Sequence, residues 1–141
     1  MPDVALDRQS APDTGQEAAL LLLRLLMRQC RAKPRIEVFE ACSLLTHSPQ
    51  RGAQAYADAL LRVLAAVLPR GLVIHHLQAR ERSFDESWLL SLFTAVSRQD
   101  HASAAFLLRA RLPLHVRRQV GWLASQLVLQ MDGLSKRNDQ D

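Results

Sequence analysis

Residues 49–69 read PQRGAQAYADALLRVLAAVLP, and this stretch decides the fold class. Its apolar side chains recur every three or four residues, which is the period of one face of an α-helix. Ser48 and Pro49 suit the N-cap and the first helical position, while Pro69 and Gly71 end the pattern. We therefore predict a helix over about 49–68 with an inward face of Ala53, Tyr56, Ala57, Leu60, Val63, Leu64, Val67 and Leu68.

The same helical period recurs along most of the chain. It predicts further helices over about 15–32, 35–46, 84–99, 101–111 and 114–131. Start and stop signals flank these ranges: capping boxes at Thr14 with Glu17 and at Ser83 with Glu86, an N-cap at Asp100, Pro113 before the last helix and Gly133 after it. The predicted fold is all-α, a single domain formed by an irregular or orthogonal bundle of six helices.

Several of these helices have a defined predicted inward face. The faces are Ile36, Phe39, Cys42 and Leu45; Trp88, Leu89, Leu92, Phe93 and Val96; Ala105, Phe106, Leu108 and Leu112; and Val116, Val120, Leu123 and Leu127. The helix over 15–32 is apolar almost all round, so we expect a second copy of the chain to cover part of it in a symmetric homodimer.

Length and composition suit one packed domain of 141 residues, 48% of them hydrophobic. We expect a flexible acidic leader over 1–13, a helical domain over 14–132 and a polar tail over 133–141. Cys30 and Cys42 lie in apolar helical patterns outside any C-x-x-C motif, which indicates buried thiols in a reducing compartment. The apolar run at 18–27 follows an acidic segment, contains Arg24 and is too short to span a membrane, so a cytoplasmic location is predicted.

Arginine supplies 16 of the 18 basic residues. One group (Arg24, Arg28, Arg31) shares a face of the first helix, and a second (Arg109, Arg111, Arg117, Arg118) lies around the junction near Pro113. Arginine binds carboxylates and phosphates in bidentate fashion, so both groups are candidates for a surface that binds an anion or an acidic partner. The alternatives are a solvated helix face, a compositional preference for arginine, and internal pairing with Asp100, Glu81 or Glu86.

His75 and His76 form the one adjacent histidine pair of the sequence. Neighbouring side chains point to opposite faces of a strand and lie about 100° apart on a helix, so the two rings cannot chelate one ion. We therefore interpret the pair as part of a connector between helices and predict no metal site and no cofactor. An edge strand that pairs with its copy in a dimer is the alternative role of this segment.

A helix-turn-helix DNA-binding protein is the alternative function. The helices over about 35–46 and 49–68 flank a tight turn, and Gln50, Arg51 and Gln54 would project from the start of the second helix. Arginine and glutamine are the side chains that read guanine and adenine edges. The turn, however, lacks the usual glycine, and the second helix is long and largely apolar.

No phosphate-binding loop, dinucleotide-binding turn, nucleophile elbow or HExxH zinc helix occurs in the sequence. The leading prediction is therefore a non-enzymatic intracellular adaptor or regulatory protein that acts through helix-mediated contacts and an arginine-rich surface. Its expected partners are a second copy and an acidic protein. A third option is a ligand-binding or catalytic pocket near His75, His76 and Trp88.

Overall fold

Five helices follow one another in the computed structural model, which describes residues 14–32 and 49–140, with side chains over 16–30 and 52–132. They are α1 (Thr14–Ala32), α2 (Pro49–Val67), α3 (Phe84–Ser97), α4 (His101–Arg111) and α5 (Leu114–Gln140). The described ranges contain no strand. The all-α class is confirmed with five helices rather than six, since the helix predicted over 35–46 lies outside the described residues.

The helix pair α2–α5 is the centre of the bundle and makes its most extensive contact. The α1 helix packs against α2 and touches α3, while α3 packs against α4 and α5. The inward faces predicted for α2 and α5 are found in the core: Leu60, Leu64, Val120 and Leu127 are fully buried. Helical periodicity predicted the inward faces of both helices, because each helix packs against apolar neighbours along its length and so needs a continuous apolar face.

The α3 helix begins with the predicted capping box. The Ser83 hydroxyl accepts from the backbone N–H of Glu86, and the Glu86 carboxylate accepts from the backbone N–H of Ser83. The Asp100 side chain caps α4 by accepting from Ser103, also as predicted. Both signals depend on residues three apart in the chain, which is why the sequence shows them.

Three residues, 98–100, join α3 to α4. Gln99 adopts a left-handed backbone conformation with φ of 58°. Its N–H bonds to the carbonyl of Val96, and the N–H of Asp100 bonds to the carbonyl of Ala95. This is the Schellman arrangement that usually places glycine at the left-handed position.

Two predictions about helix ends and faces are wrong. The last helix does not stop at Gly133 but continues to Gln140, because a glycine inside a helix costs only about 1 kcal/mol relative to alanine. Phe106 and Ala105 are exposed rather than inward. The short α4 lies on the outside of the bundle and packs through Ala104, Leu107 and Leu108 instead. The proposed division into leader, domain and tail remains a prediction.

Replacing Leu127 with alanine should destabilise the protein by about 2–5 kcal/mol, because it opens a cavity at a fully buried position between α5 and its neighbours. Leu21→Ala is the control, since it removes the same atoms from a position on α1 that is 49% exposed and should change stability by about 0.5 kcal/mol or less. Urea unfolding followed by circular dichroism measures both. Equal losses for the two variants would contradict the burial pattern.

Candidate interaction surface

Arg24 is a core residue and not part of a surface stripe. Its side chain is buried, and its Nε donates to Glu86 Oε2 at 2.6 Å. Nη2 donates to Glu86 Oε1 at 3.1 Å and to the carbonyl of Glu81 at 3.0 Å, while Nη1 donates to the carbonyl of Ala79 at 2.7 Å. The prediction of Arg24 as part of an anion-binding surface is wrong, because this guanidinium already holds an internal carboxylate and two carbonyls.

Glu86 is the buried partner of that pair. Burial alone would raise the pKa of Glu86, but hydrogen bonds from Arg24 and from the backbone of Ser83, together with the charges of Arg24 and His75, outweigh burial and lower this pKa below the usual value. Glu86 therefore remains ionised, and it serves at once as half of an ion pair and as part of the α3 cap.

Arg111 is also engaged within the molecule. Its Nη1 forms an ion pair with Asp85 Oδ1 at 2.6 Å, and its guanidinium lies 5.0 Å from the ring centre of Phe84 and 5.1 Å from that of Trp88. Asp85 in turn accepts the backbone N–H of Val73 at 2.7 Å. Arg111 is therefore paired inside the molecule, which was one of the alternatives to a binding surface. Its partner is Asp85 and not one of the three carboxylates that the sequence suggested.

The remaining predicted arginines divide into two kinds. Arg117 donates from Nε to the carbonyl of Leu112 at 2.9 Å and so closes the turn before α5. Arg28, Arg109 and Arg118 are exposed, and the side chain of Arg31 lies outside the described ones. The seven arginines therefore do not act as one surface, since three of them already bind groups of the chain itself.

The histidine pair lies in the irregular connector between α2 and α3, as predicted, and not in a strand. His75 is half-buried and His76 is exposed. A cleft of about 270 Å³ beside them is lined by Arg24, Met27, Arg28, Ile74, His75, His76 and Leu77. Trp88 does not line this cleft, because its indole N–H donates to the carbonyl of Leu107 on the α4 side. No cluster of metal-ligating side chains occurs within the described ranges.

The DNA-reading prediction fails at Gln54. This side chain is buried in the core rather than projecting from α2, and the thiol of Cys30 on α1 donates to the backbone carbonyl of Gln54 at 3.5 Å. Because α1 covers this part of α2, a base edge cannot reach Gln54. The side chains of Gln50 and Arg51 lie outside the described ones.

The outward face of α5 exposes large apolar side chains that the sequence analysis did not identify. Leu114, Trp122 and Leu129 are 78%, 53% and 62% exposed. The Trp122 ring makes a T-shaped contact with Tyr56, with 5.7 Å between the ring centres. The three apolar residues are spaced eight and seven positions apart, which places them on one face of a helix, opposite the inward face of α5. This spacing could have been recognised in the sequence.

A groove of about 700 Å³ runs beside this face and is lined by residues of α3, α4 and α5. Its walls carry small side chains, including Ala104 and Ala105 of α4 and Gly121 and Ser125 of α5. One end is acidic, with Asp100 and Asp132. A surface of this kind, apolar with one charged end, is typical of a contact with another helix.

Comparison of the chain with protein-family models, with curated proteins and with solved structures finds no match. None of the helices in the described part of the chain is both long and apolar enough to cross a membrane.

Replacing Arg24 with methionine should destabilise the protein by about 3–5 kcal/mol, because it leaves Glu86 as a buried, uncompensated charge. The double variant Arg24→Met/Glu86→Leu should recover much of this loss, since no lone charge remains. Arg28→Met, one turn along the same helix but exposed, is the control. Chemical denaturation measures all three, and an Arg24→Met variant as stable as the control would overturn the assignment of Arg24 to the core.

The Arg24–Glu86 pair should also make stability depend on acid pH. Because the pKa of Glu86 is lowered in the folded state, its contribution is complete above the unfolded-state pKa of about 4.3 and is lost as the pH falls through the folded-state pKa. The difference in unfolding free energy between wild type and Glu86→Gln should therefore shrink on acidification below about pH 4. Denaturant titrations at a series of pH values test this, with Glu81→Gln, whose side chain is exposed in the connector, as control. A difference that stays constant into acid would refute it.

Proposed function

We propose that this protein is a non-enzymatic interaction module that binds another protein chain through the outward face of α5. The observation that carries the proposal is the exposure of Leu114, Trp122 and Leu129 together on one helix face. Single exposed apolar residues are ordinary, but three large ones aligned on one face of a helix are typical of an interaction site. Tryptophan is also among the residues that contribute most to binding at protein interfaces.

The state of the buried ionisable groups supports the same proposal. Arg24 with Glu86 and Arg111 with Asp85 form pairs that hold helices and the connector together. A general acid or base needs access to a substrate proton, and these four side chains are instead engaged in ion pairs, with only Arg111 half-buried rather than buried. Their arrangement is that of structural ion pairs.

The partner surface should be apolar with a complementary charge. Arg118 is exposed on the outward face of α5, between Leu114 and Trp122, so the partner should place a carboxylate opposite it. Of the arginine-rich surface predicted from the sequence, the proposal keeps Arg118, which lies at the proposed interface. A cytoplasmic location is part of the proposal and rests on the sequence alone.

Photo-crosslinking in cells that make the protein tests this proposal. Benzoylphenylalanine incorporated in place of Trp122 should give a discrete crosslinked protein product, because the ring lies at the centre of the proposed contact. The same group in place of Phe106 is the matched control, since this aromatic residue is similarly exposed but belongs to α4. Absence of a product at position 122, or the same products at both positions, would overturn the proposal.

A further inference from the structure

We infer that the chain bound to the outward face of α5 is a second copy of this protein, packed antiparallel along α5 about a two-fold axis near Ser125. This inference rests on the proposed function and names its partner. It follows from the positions of the apolar and charged side chains on one helix face, and it places the dimer contact on α5 rather than on α1.

The side chains in question share a narrow face. At about 100° per residue, Leu114, Arg118, Trp122, Ser125, Leu129 and Asp132 fall within an arc of about 80° on α5. The buried set of α5, including Val120, Leu123 and Leu127, lies on the opposite side of the helix. The outward stripe therefore has the spacing of a second packing seam, and in the described part of the chain all six of its side chains are exposed except Ser125, which is half-buried.

The charges of this face are self-complementary. Arg118 and Asp132 are both exposed, and each lies seven residues, or about 10 Å along the helix axis, from Ser125. A two-fold axis at Ser125 brings Arg118 of each copy opposite Asp132 of the other. The interface would then contain two equivalent ion pairs, as a symmetric contact requires.

The apolar side chains fit the same register. Trp122 of one copy falls opposite position 128 of the other, where Val128 is buried but the neighbouring Leu129 is 62% exposed and can meet the ring. Ser125 meets its own copy on the axis, where a small side chain permits close approach. The groove walls at Ala104 and Ala105 are small as well, which leaves room beside α5 for a second helix.

A uniformly acidic partner suits this face less well. It would satisfy Arg118 but would place like charges against Asp132 and Asp100 at the acidic end of the groove, which is unfavourable. The α1 helix also exposes Leu21 and Leu25. Those leucines are less exposed than Leu114, Trp122 and Leu129, and their face carries no aromatic residue, so α5 is the stronger candidate.

Charge reversal and recombination test the register. Sedimentation velocity at low salt should show a dimer of the wild-type chain at micromolar concentration. Arg118→Asp and Asp132→Arg should each weaken self-association about tenfold or more, because each variant sets two like-charge pairs across the axis. An equimolar mixture of the two variants should restore dimers, since every facing pair is then again of opposite sign.

The contrast variant is Arg28→Asp, which reverses an exposed charge on α1 and should leave the dimer intact. Circular dichroism should show unchanged helix content in all three variants, because the substituted side chains are exposed. A monomeric wild type, a mixture that fails to dimerise, or a dimer lost through Arg28→Asp alone would overturn the inference. A monomeric wild type that still crosslinks at position 122 to a different protein would refute the second copy as partner while leaving the proposed function standing.

Discussion

Burying a guanidinium and a carboxylate costs several kcal/mol per ion, and the cost is offset only where geometry and further hydrogen bonds are good. In this protein the offset comes from Arg24, which binds both oxygens of Glu86 and the carbonyls of Ala79 and Glu81. Residues 68–83 form no helix, so their polar backbone groups need partners from elsewhere. Arg24 supplies two of these partners, and in doing so it sets the position of α1 against the connector and against the start of α3.

The first turn of α3 is the junction through which distant parts of the chain are held together. Its adjacent carboxylates form ion pairs with arginines from two different helices. Asp85 pairs with Arg111 at the end of α4, and Glu86 pairs with Arg24 in α1. Both carboxylates also bind a backbone N–H, from Val73 and Ser83 respectively. Negative charge is favourable at the amino end of a helix, so this turn can hold two anions in the interior where an isolated one would be costly.

Local patterns in the sequence predicted most of the helices, because helix periodicity and capping depend on residues a few positions apart. The same reasoning failed for Arg24 and Gln54. Arg24 lies four residues after Leu20 and three before Met27, both buried, so its inward direction was visible, but its partner is 62 residues away and no local rule identifies it. The inward residues of α5 already account for its helical period, so the sequence did not mark Trp122 and Leu129 as a second apolar face.

The turn between α3 and α4 has a consequence for recognition. Asp100 completes the end of one helix with its backbone N–H and opens the next with its side chain, so no flexible linker separates them. The angle between α3 and α4 is thus set within the turn, and the wall that α4 gives to the groove beside α5 exists before any partner arrives. Because this surface is preorganised, little conformational entropy is lost when a chain binds to it. Differences in affinity between variants should therefore appear mainly in the dissociation rate of the complex.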